Sequence, residues 1–192
     1  MNALEILLNK RWILKSTERD LYYKVKDQLG PIKKFVNEKL GYQIIMTPNL
    51  IKLEKLPGKP EIWMGIGAFT KTIEYGFLCM VLMFLEDKEV EEQLVLSQLT
   101  EYIQVNYKAE RVDWTFYTNR RHLIRVLKFC VESDLMKIND GSEESFAGDA
   151  SEEVLYENTG ISKYFMRVFP RDIMDFDSPK DFYASEWIDG NE

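Results

Sequence analysis

A helical pattern that leads directly into a hairpin pattern occurs in each half of this 192-residue chain. In the first half, apolar residues recur every three or four positions over residues 17–40, after a cap-like Ser16-Thr17. This spacing predicts a helix that Pro31 kinks or splits. Residues 42–55, with a turn at Thr47-Pro48-Asn49, predict two short strands. The first half is therefore predicted to end in a β-hairpin that follows a helix.

The second half has the same ending after more helices. Residues 69–85 are apolar on nearly every side, which predicts a central helix sheathed by its neighbours. Residues 97–107 predict the next helix, and Asn119 is predicted to cap a third helix over 120–133. Two strands follow, at residues 135–138 and 154–157, and an acidic loop at residues 139–153 connects them. The order helix, helix, helix, hairpin is typical of a winged-helix domain.

A break in the pattern separates the two halves. Residues 56–60 read Leu-Pro-Gly-Lys-Pro, and two prolines with a glycine disfavour both a strand and a helix. The predicted fold class is mainly α with small β-hairpins (α+β), built as tandem winged-helix domains. The order of elements, rather than a sequence repeat, supports this pairing. We predict a first winged-helix domain at 1–60, a second at 61–170 that includes a helix near 161–168, and an acidic C-terminal tail at 171–192.

Composition and charge narrow the class of protein. Hydrophobic residues make up 45% of the chain and aromatic residues 13%, which suffices for a sizeable core and excludes disorder throughout. The net charge of −7 is unevenly distributed, because residues 1–60 carry 12 basic and 6 acidic side chains whereas residues 139–192 carry 4 and 14. Such a polarised molecule favours oriented docking over free-standing nucleic-acid binding, for which a domain is usually basic overall.

The sequence predicts a cytoplasmic protein without a membrane segment. The longest strongly apolar stretch, residues 75–85, is well short of a bilayer span and predicts a buried core helix. The opening residues resemble the start of a packed helix rather than a signal peptide. Cys79 and Cys130 both lie in predicted helices with apolar neighbours, which predicts buried free thiols.

The residues offer little for catalysis or for a cofactor. His122 is the only histidine, and no nucleophile is expected to face it, which favours a helical histidine at the solvent edge. Asp172, Asp175 and Asp177 lack the glycine turn and glutamate of a calcium loop, which favours a solvated tail. Gly65-Ile66-Gly67 lacks the third glycine and the lysine of phosphate loops and is predicted to be an interdomain turn. We therefore predict a non-catalytic protein with no cofactor or metal.

One basic helix face is a candidate for DNA contact. The predicted helix 120–133 places its apolar residues on one side and Arg121, Arg125 and Lys128 on the other. A helix just before a wing commonly lies in a DNA groove, where such side chains meet phosphates. The alternative is a solvated face, which is common for a charged helix surface. Negative charge in the loop 139–153 opposes phosphate binding there.

The first domain offers a second basic surface. Lys33 and Lys34 are further candidates for DNA contact, and Lys24 and Lys26 precede them on the same segment. Aromatic area accompanies these lysines, at Tyr22, Tyr23 and Phe35. This mixture suits a protein interface as well as DNA.

Three spaced patterns resemble those of a known family. They are a helix leading into GYQI (41–44) and a charged hairpin, an arginine-led helix ending in DLMKINDG (134–141), and an acidic stretch ending in VLYE (154–157). Over almost the whole chain, they resemble an uncharacterised-domain family found in type II Wadjet defence operons. Members of that family are longer than this sequence, which implies a short member or an amino-terminal part.

The resemblance implies a KITE subunit, the tandem winged-helix partner that binds the kleisin of an SMC-type ATPase. Its role would be similar to that of MukE in the MukBEF condensin, and such subunits dimerise and have no active site. The implied partners are the kleisin and SMC ATPase subunits, a nuclease subunit that cuts small circular plasmids, a second copy of the chain, and double-stranded DNA within the complex. The implied location is the cytoplasm, on the nucleoid or on plasmids.

A free-standing winged-helix transcription regulator is the alternative function. It predicts a basic wing and strong, salt-dependent binding of duplex DNA by the chain alone. The predicted wing is acidic and the net charge is negative, so this alternative stands second to the KITE subunit.

Overall fold

The structure is a computed structural model that describes residues 2–55, 64–166 and 177–178. The chain divides into two compact units, and the described residues 2–55 and 177–178 belong to the first unit and residues 64–166 to the second. Each unit combines helices with a small antiparallel sheet, which confirms the predicted α+β class. The predicted linker at 56–60, and the predicted tail apart from residues 177–178, lie outside the described residues.

The described residues of the first unit form two helices and a three-stranded antiparallel sheet. β3 is the central strand, because it pairs with β1 on one side and with β2 on the other. All five residues of β3 are buried, so the predicted hairpin is confirmed and a short additional strand joins it. The elements in chain order are α1 (Ala3–Asn9), β1 (Ile13–Leu14), α2 (Arg19–Leu40), β2 (Gln43–Met46) and β3 (Leu50–Glu54).

The long helix α2 supplies much of the core of this unit. Val25, Leu29 and Val36 are buried at the predicted three- and four-residue spacing, which places them on one side of the helix. Pro31 lies inside α2, which continues past it as one helix, so the chain is not split there. Gly41 ends the helix with φ 64°, a left-handed conformation that a residue without Cβ adopts at little cost.

The start of α2 differs from the prediction. Ser16-Thr17 was expected to cap the helix, but the residue at the cap position is Glu18, whose side chain makes no capping hydrogen bond. Glu18 instead forms an ion pair with Lys10 at 2.6 Å. The cap prediction was therefore wrong, because a tertiary contact rather than a local hydroxyl fixes this end of the helix.

A lysine secures the end of α1. Lys55, directly after β3, donates hydrogen bonds from Nζ to the carbonyls of Leu7 at 3.3 Å, Leu8 at 2.9 Å and Lys10 at 2.9 Å. The last carbonyls of a helix lack partners within it, so a cation there satisfies them and complements the negative end of the helix dipole. Burial lowers the pKa of Lys55.

Over residues 64–166, the second unit forms four α-helices and a second three-stranded antiparallel sheet. β6 is its central strand, between β4 and β5. A three-residue 3-10 helix, Ser162–Tyr164, stands where a longer helix over 161–168 was expected, and the expectation from residue 167 onward lies outside the described residues. The elements are α3 (Thr72–Glu86), β4 (Gln93–Val95), α4 (Leu96–Asn106), α5 (Tyr117–Glu132), β5 (Met136–Asp140), α6 (Glu143–Gly148) and β6 (Leu155–Asn158).

Helix α3 is buried on one side rather than sheathed on all sides. Its inner face, which includes Phe77, Val81 and Leu85, is buried. Its outer face exposes Met83 and Cys79. The prediction that both thiols are buried is therefore wrong for Cys79 and confirmed for Cys130, whose pKa burial raises. Among the described residues, no helix is both long enough and apolar enough to cross a membrane.

Helix α5 begins earlier than its sequence pattern indicates. It starts at Tyr117, so Asn119 lies inside the helix and does not cap it. The Asn119 side chain donates through Nδ2 to the carbonyl of Asp113 at 2.9 Å and so ties the preceding turn to the helix. The loop predicted at 139–153 contains a helix, α6, that the sequence pattern did not indicate.

Candidate nucleic-acid interface

Helix α5 has an apolar side and, opposite it, the basic side that the sequence predicts for DNA contact. The four predicted inward residues are all fully buried, at Leu123, Val126, Leu127 and Cys130. Because α-helical residues three and four positions apart share a face, their burial turns Arg121, Arg125 and Lys128 outward. The predicted amphipathic arrangement is therefore confirmed, and the partners of the three cations decide what they can bind.

Two of these cations share one acidic partner on α6. Arg121 Nη1 donates to Glu144 Oε2 at 3.0 Å, and Lys128 forms an ion pair with Glu144 Oε1. The hydrogen bond from Lys128 is the main cause that lowers the pKa of Glu144. Helix α6 thus places a carboxylate against the basic side of α5 and offsets much of its charge.

The third cation is held by an acidic residue of α3. Arg125 forms an ion pair with Glu74 Oε1 and donates from Nη1 to Thr70 Oγ1 at 3.2 Å. About a third of the Arg125 side chain is exposed, whereas the Glu74 side chain has no exposed surface. Arg125 is therefore committed to a contact between α5 and α3.

Glu74 is the centre of a buried polar network. Its Oε2 accepts hydrogen bonds from the backbone N–H groups of Thr70 at 2.5 Å and Lys71 at 3.0 Å, and its Oε1 lies 2.8 Å from His122 Nδ1. Burial raises the pKa of Glu74, but the hydrogen bonds from His122, the two backbone groups and Arg125 outweigh it and lower the pKa to about 2. The carboxylate is therefore ionised at neutral pH.

The position of His122 differs from the predicted one. We expected a histidine at the solvent edge of its helix, but its side chain is only 16% exposed and its ring contacts Glu74. The ring nitrogen that faces Glu74 Oε1 serves as a donor when it carries a proton, since a carboxylate only accepts. This arrangement suits a structural role for His122 in joining α3 to α5.

A buried arginine anchors α6 to the start of α5. Arg120 is 8% exposed and donates to the carbonyls of Trp114 at 2.7 Å and Thr115 at 2.9 Å through Nη1. It also donates to the carbonyl of Ala147 through Nε at 3.2 Å and Nη2 at 3.1 Å. Because a guanidinium offers five donors in a fixed plane, one side chain satisfies three carbonyls. Arg120 therefore holds the helix that carries Glu144.

The basic surface predicted in the first unit lies on α2. Lys33 and Lys34 are both exposed, and Lys34 has a long ion pair with Glu38 at 3.9 Å. Of the accompanying aromatic residues, Tyr23 and Phe35 are exposed as expected. Tyr22 is buried and its hydroxyl donates to the carbonyl of Thr47 at 2.6 Å, so the interpretation of Tyr22 as surface area was wrong.

Residues considered for metal or phosphate binding do not form such a site in the described part of the chain. Groups of three or more His, Cys, Asp or Glu side chains that could hold a metal are absent among the described residues. Of the three aspartates in the tail, only Asp177 is described. Gly65-Ile66-Gly67 lies in the loop before α3, where the Ile66 N–H donates to the Tyr75 hydroxyl at 3.0 Å.

Of the functional residues that the sequence analysis did not identify, one could have been recognised from the sequence. Glu74 is a lone carboxylate at the start of a helix that is otherwise apolar until Glu86, and a charge in that position needs partners when it is buried. Arg120 and Glu144 carried no comparable signal, because each acts on residues that are distant in the sequence.

Together, the two units define a mixed α+β protein with basic surfaces on α2 and α5. The chain belongs to the family described as "Protein of unknown function (DUF2398)", whose model matches residues 4–192. Comparisons with curated proteins and with solved structures find no match.

Proposed function

We propose that this chain is a non-catalytic, KITE-type subunit that binds the kleisin of an SMC-type complex and helps to hold double-stranded DNA for plasmid defence. The observation that carries the proposal is the topology of the second unit, in which α3, α4 and α5 precede β5 and β6. This order supports a winged-helix interpretation in which α6 lies between the two strands of the hairpin, and the first strand of the unit, β4, pairs with the last, β6. A tandem winged-helix architecture is what a KITE subunit requires.

The sheet of the first unit supports the interpretation of the chain as two winged-helix domains in tandem. Its strands follow the order β1-β3-β2, and those of the second unit follow the matching order β4-β6-β5. In both units the last strand is central and pairs with a strand that precedes the long helix. The first unit has two described helices before its hairpin rather than three, so the sheet and the long helix carry the likeness.

Exposed aromatic side chains support a protein-binding role. Phe116 is 62% exposed and Tyr117 is 58% exposed, side by side at the start of α5. Large aromatic residues are enriched at protein interfaces, where they supply much of the binding energy. These two residues are our candidates for kleisin contact.

The resemblance to type II Wadjet components supports the choice of partner. It rests on the patterns that end in GYQI, DLMKINDG and VLYE. In the structure these patterns fall at the start of β2, on β5 with its following turn, and on β6. Within the proposed complex the SMC subunit hydrolyses ATP, a separate nuclease cuts the plasmid, and this subunit shapes the kleisin-bound chamber.

Co-expression with the candidate kleisin, SMC and nuclease subunits tests the proposal. The chain is purified through its tag, and size-exclusion chromatography with light scattering gives the composition and stoichiometry of what co-purifies. We expect a stable complex with the kleisin that contains two copies of this chain. A lone species that binds duplex DNA tightly would contradict the proposal and favour a transcription regulator.

A pair of variants sharpens this experiment. The double variant Phe116→Ser, Tyr117→Ser should lose most of the co-purified kleisin, because it removes the exposed aromatic pair. The matched control is Val90→Ser, Val105→Ser, which removes two apolar side chains that are also exposed, at 62% and 58%. Equal kleisin binding by both double variants would exclude Phe116 and Tyr117 as the contact.

A further inference from the structure

One face of α2 carries cations without interspersed carboxylates. Residues three, four and seven positions apart share a helix face. The exposed side chains of Arg19, Tyr23, Lys26, Lys33 and Lys34 therefore lie close to a single line along α2. The acidic residues of α2, which are Asp20, Asp27 and Glu38, project about 80 to 100° away from this line. With half-buried Lys15, which precedes the helix, the basic face consists of Lys15, Arg19, Tyr23, Lys26, Lys33 and Lys34.

Among the described residues, the cations of this basic face have few acidic partners. Within the described part of the chain, Lys15, Arg19, Lys26 and Lys33 have no carboxylate within the 4.0 Å of an ion pair. Lys34 has its 3.9 Å contact with Glu38, in which both side chains are more than half exposed, and such pairs are weak. The basic side of α5 differs, because its three cations are paired with Glu74 and Glu144.

A cavity of about 330 Å³ lies between α2 and the β2–β3 hairpin. Lys15, Tyr23 and Lys26 line one part of it, and Met46, Thr47 and Pro48 line the rest together with Tyr22. The hydrogen bond from the Tyr22 hydroxyl to the Thr47 carbonyl, at 2.6 Å, fixes the hairpin turn against the helix. This contact between the two walls of the cavity does not use the cations that line it.

Two lysines converge on one aromatic ring beside this cavity. Lys15 Nζ lies 5.5 Å and Lys26 Nζ 5.9 Å from the centre of the Tyr23 ring. A hydrogen bond with Lys15 and that residue's charge lower the pKa of Tyr23. Both ammonium groups thus lie beside one neutral ring, and both side chains line the same cavity, which suits an anion bound at its mouth.

We propose that the basic face of α2 binds the phosphodiester backbone of duplex DNA, with a phosphate between Lys15 and Lys26 at the mouth of the cavity. Further phosphates of the same strand contact Lys33 and Lys34. Lys26 and Lys33 are separated by about 10 Å along the helix, which corresponds to about three steps of a strand that rises about 3.4 Å per base pair. This inference rests on the proposed function in taking DNA as a ligand, and it assigns that ligand to the first unit.

A phosphate backbone fits this face better than an acidic peptide does. Peptide recognition depends on apolar anchors that are buried in a pocket at the centre of the interface. Along the basic face the exposed apolar area is confined to Tyr23 and Met46 at one end. Backbone contacts to DNA require cations and neutral polar groups in a row, which describes the rest of the face.

The test is the binding of the full chain to a fluorescent duplex of mixed sequence, followed by anisotropy over a series of salt concentrations. The double variant Lys26→Gln, Lys33→Gln should lower the slope of log affinity against log salt by about 0.9 for each lost phosphate contact. The matched control is Lys24→Gln, Lys39→Gln, which removes the same charge from other exposed positions of α2. The control should keep the slope, and circular dichroism should show that both variants are folded.

Three results would overturn the inference. Equal loss of binding in both double variants would show that only total charge matters. Binding of a Glu- and Tyr-rich peptide through Lys26 and Lys33, without duplex binding, would assign the face to a protein partner. Kleisin co-purification is measured on the same variants. If Lys26→Gln, Lys33→Gln retains both the kleisin and its full affinity for the duplex, this inference is rejected while the proposed function stands.

Discussion

Glu74 Oε1 lies 2.8 Å from His122 Nδ1, and this contact joins the first turn of α3 to α5 in the second unit. The same oxygen also pairs with Arg125, so one carboxylate with no exposed surface contacts both His122 and Arg125. A buried charge that loses its partner is strongly destabilising, because low-dielectric surroundings cannot replace the lost interaction. The network therefore makes the contact between α3 and α5 depend on a single carboxylate.

The substitution Glu74→Gln tests this dependence. The variant removes the negative charge, and its amide NH2 group must face either the backbone donors of Thr70 and Lys71 or the side chains of His122 and Arg125. We expect the free energy of unfolding to fall by about 3 kcal/mol, measured by urea denaturation. Glu101→Gln is the control, since Glu101 is exposed on α4. Equal stability of the two variants would show that the network contributes little.

The same carboxylate predicts a pH dependence. Its pKa is about 2 in the folded chain and 4.5 as an ordinary glutamate, so folding favours the ionised form. A lowered pKa gives stability that is present above the unfolded value and is lost as the pH falls toward the folded value. The stability difference between the original chain and Glu74→Gln should therefore shrink by about 3 kcal/mol as the pH falls from about 5 to about 2. A difference that is constant with pH would contradict the lowered pKa.

Periodicity predicted the long elements of the fold and missed the short ones. Helices α2 and α5 and both hairpins have enough apolar residues at regular spacing to identify them from the sequence. β1 and β4 have two and three residues, and α6 has six, so they carry too little pattern. The sequence also predicted the basic side of α5, but not its partners, because Glu144 follows Arg121 by 23 residues and Lys128 by 16.

Arg120 provides a test of how α6 is held. In Arg120→Met, the carbonyls of Trp114, Thr115 and Ala147 lose their donors, while the apolar length of the side chain is kept. Because each unsatisfied buried carbonyl is costly, we expect a loss of about 2 to 3 kcal/mol in the free energy of unfolding. Amide hydrogen exchange should accelerate in α6 before it does in α3.

Two further variants separate charge from geometry at this site. Arg120→Lys keeps the charge but lacks the planar donors, so it should recover only part of the lost stability. Arg111→Met removes an exposed arginine from the preceding loop and should leave α6 exchange unchanged. Unchanged exchange in α6 for Arg120→Met would mean that other contacts hold this helix.

Glu144→Gln asks whether the basic side of α5 can bind DNA once its acidic partner is removed. The pairs with Arg121 and Lys128 are partly exposed on both sides, so the loss of stability should be small. If both cations then reach phosphates, the slope of log affinity against log salt should increase by about 2. Glu152→Gln, also exposed and in the same segment, is the control for net charge. An unchanged slope in Glu144→Gln would favour a solvated face for Arg121 and Lys128.

Gly141 is the residue of the turn between β5 and α6 that least tolerates a side chain. Its φ is 86°, and an added Cβ would lie 2.7 Å from the carbonyl oxygen of Glu153 and 3.1 Å from Val154 Cα. Both the backbone conformation and the contact with main-chain atoms oppose an L-residue, because neither neighbour can rotate away. Gly141→Ala should therefore lower the free energy of unfolding by more than about 1 kcal/mol, measured by urea denaturation.

Gly148, at the other end of α6, is the matched control for this substitution. It is the last residue of the helix, and an added Cβ there would meet no atom within 4 Å. Because alanine loses less backbone entropy than glycine in a helix, Gly148→Ala should be neutral or stabilising by up to about 1 kcal/mol. If Gly141→Ala were as stable as Gly148→Ala, the turn would have to open without cost, and α6 would not be fixed at its amino-terminal end. The expected result is that Gly141→Ala is clearly less stable than Gly148→Ala. That result would indicate that the turn at Gly141, in addition to Arg120, fixes the helix that carries Glu144.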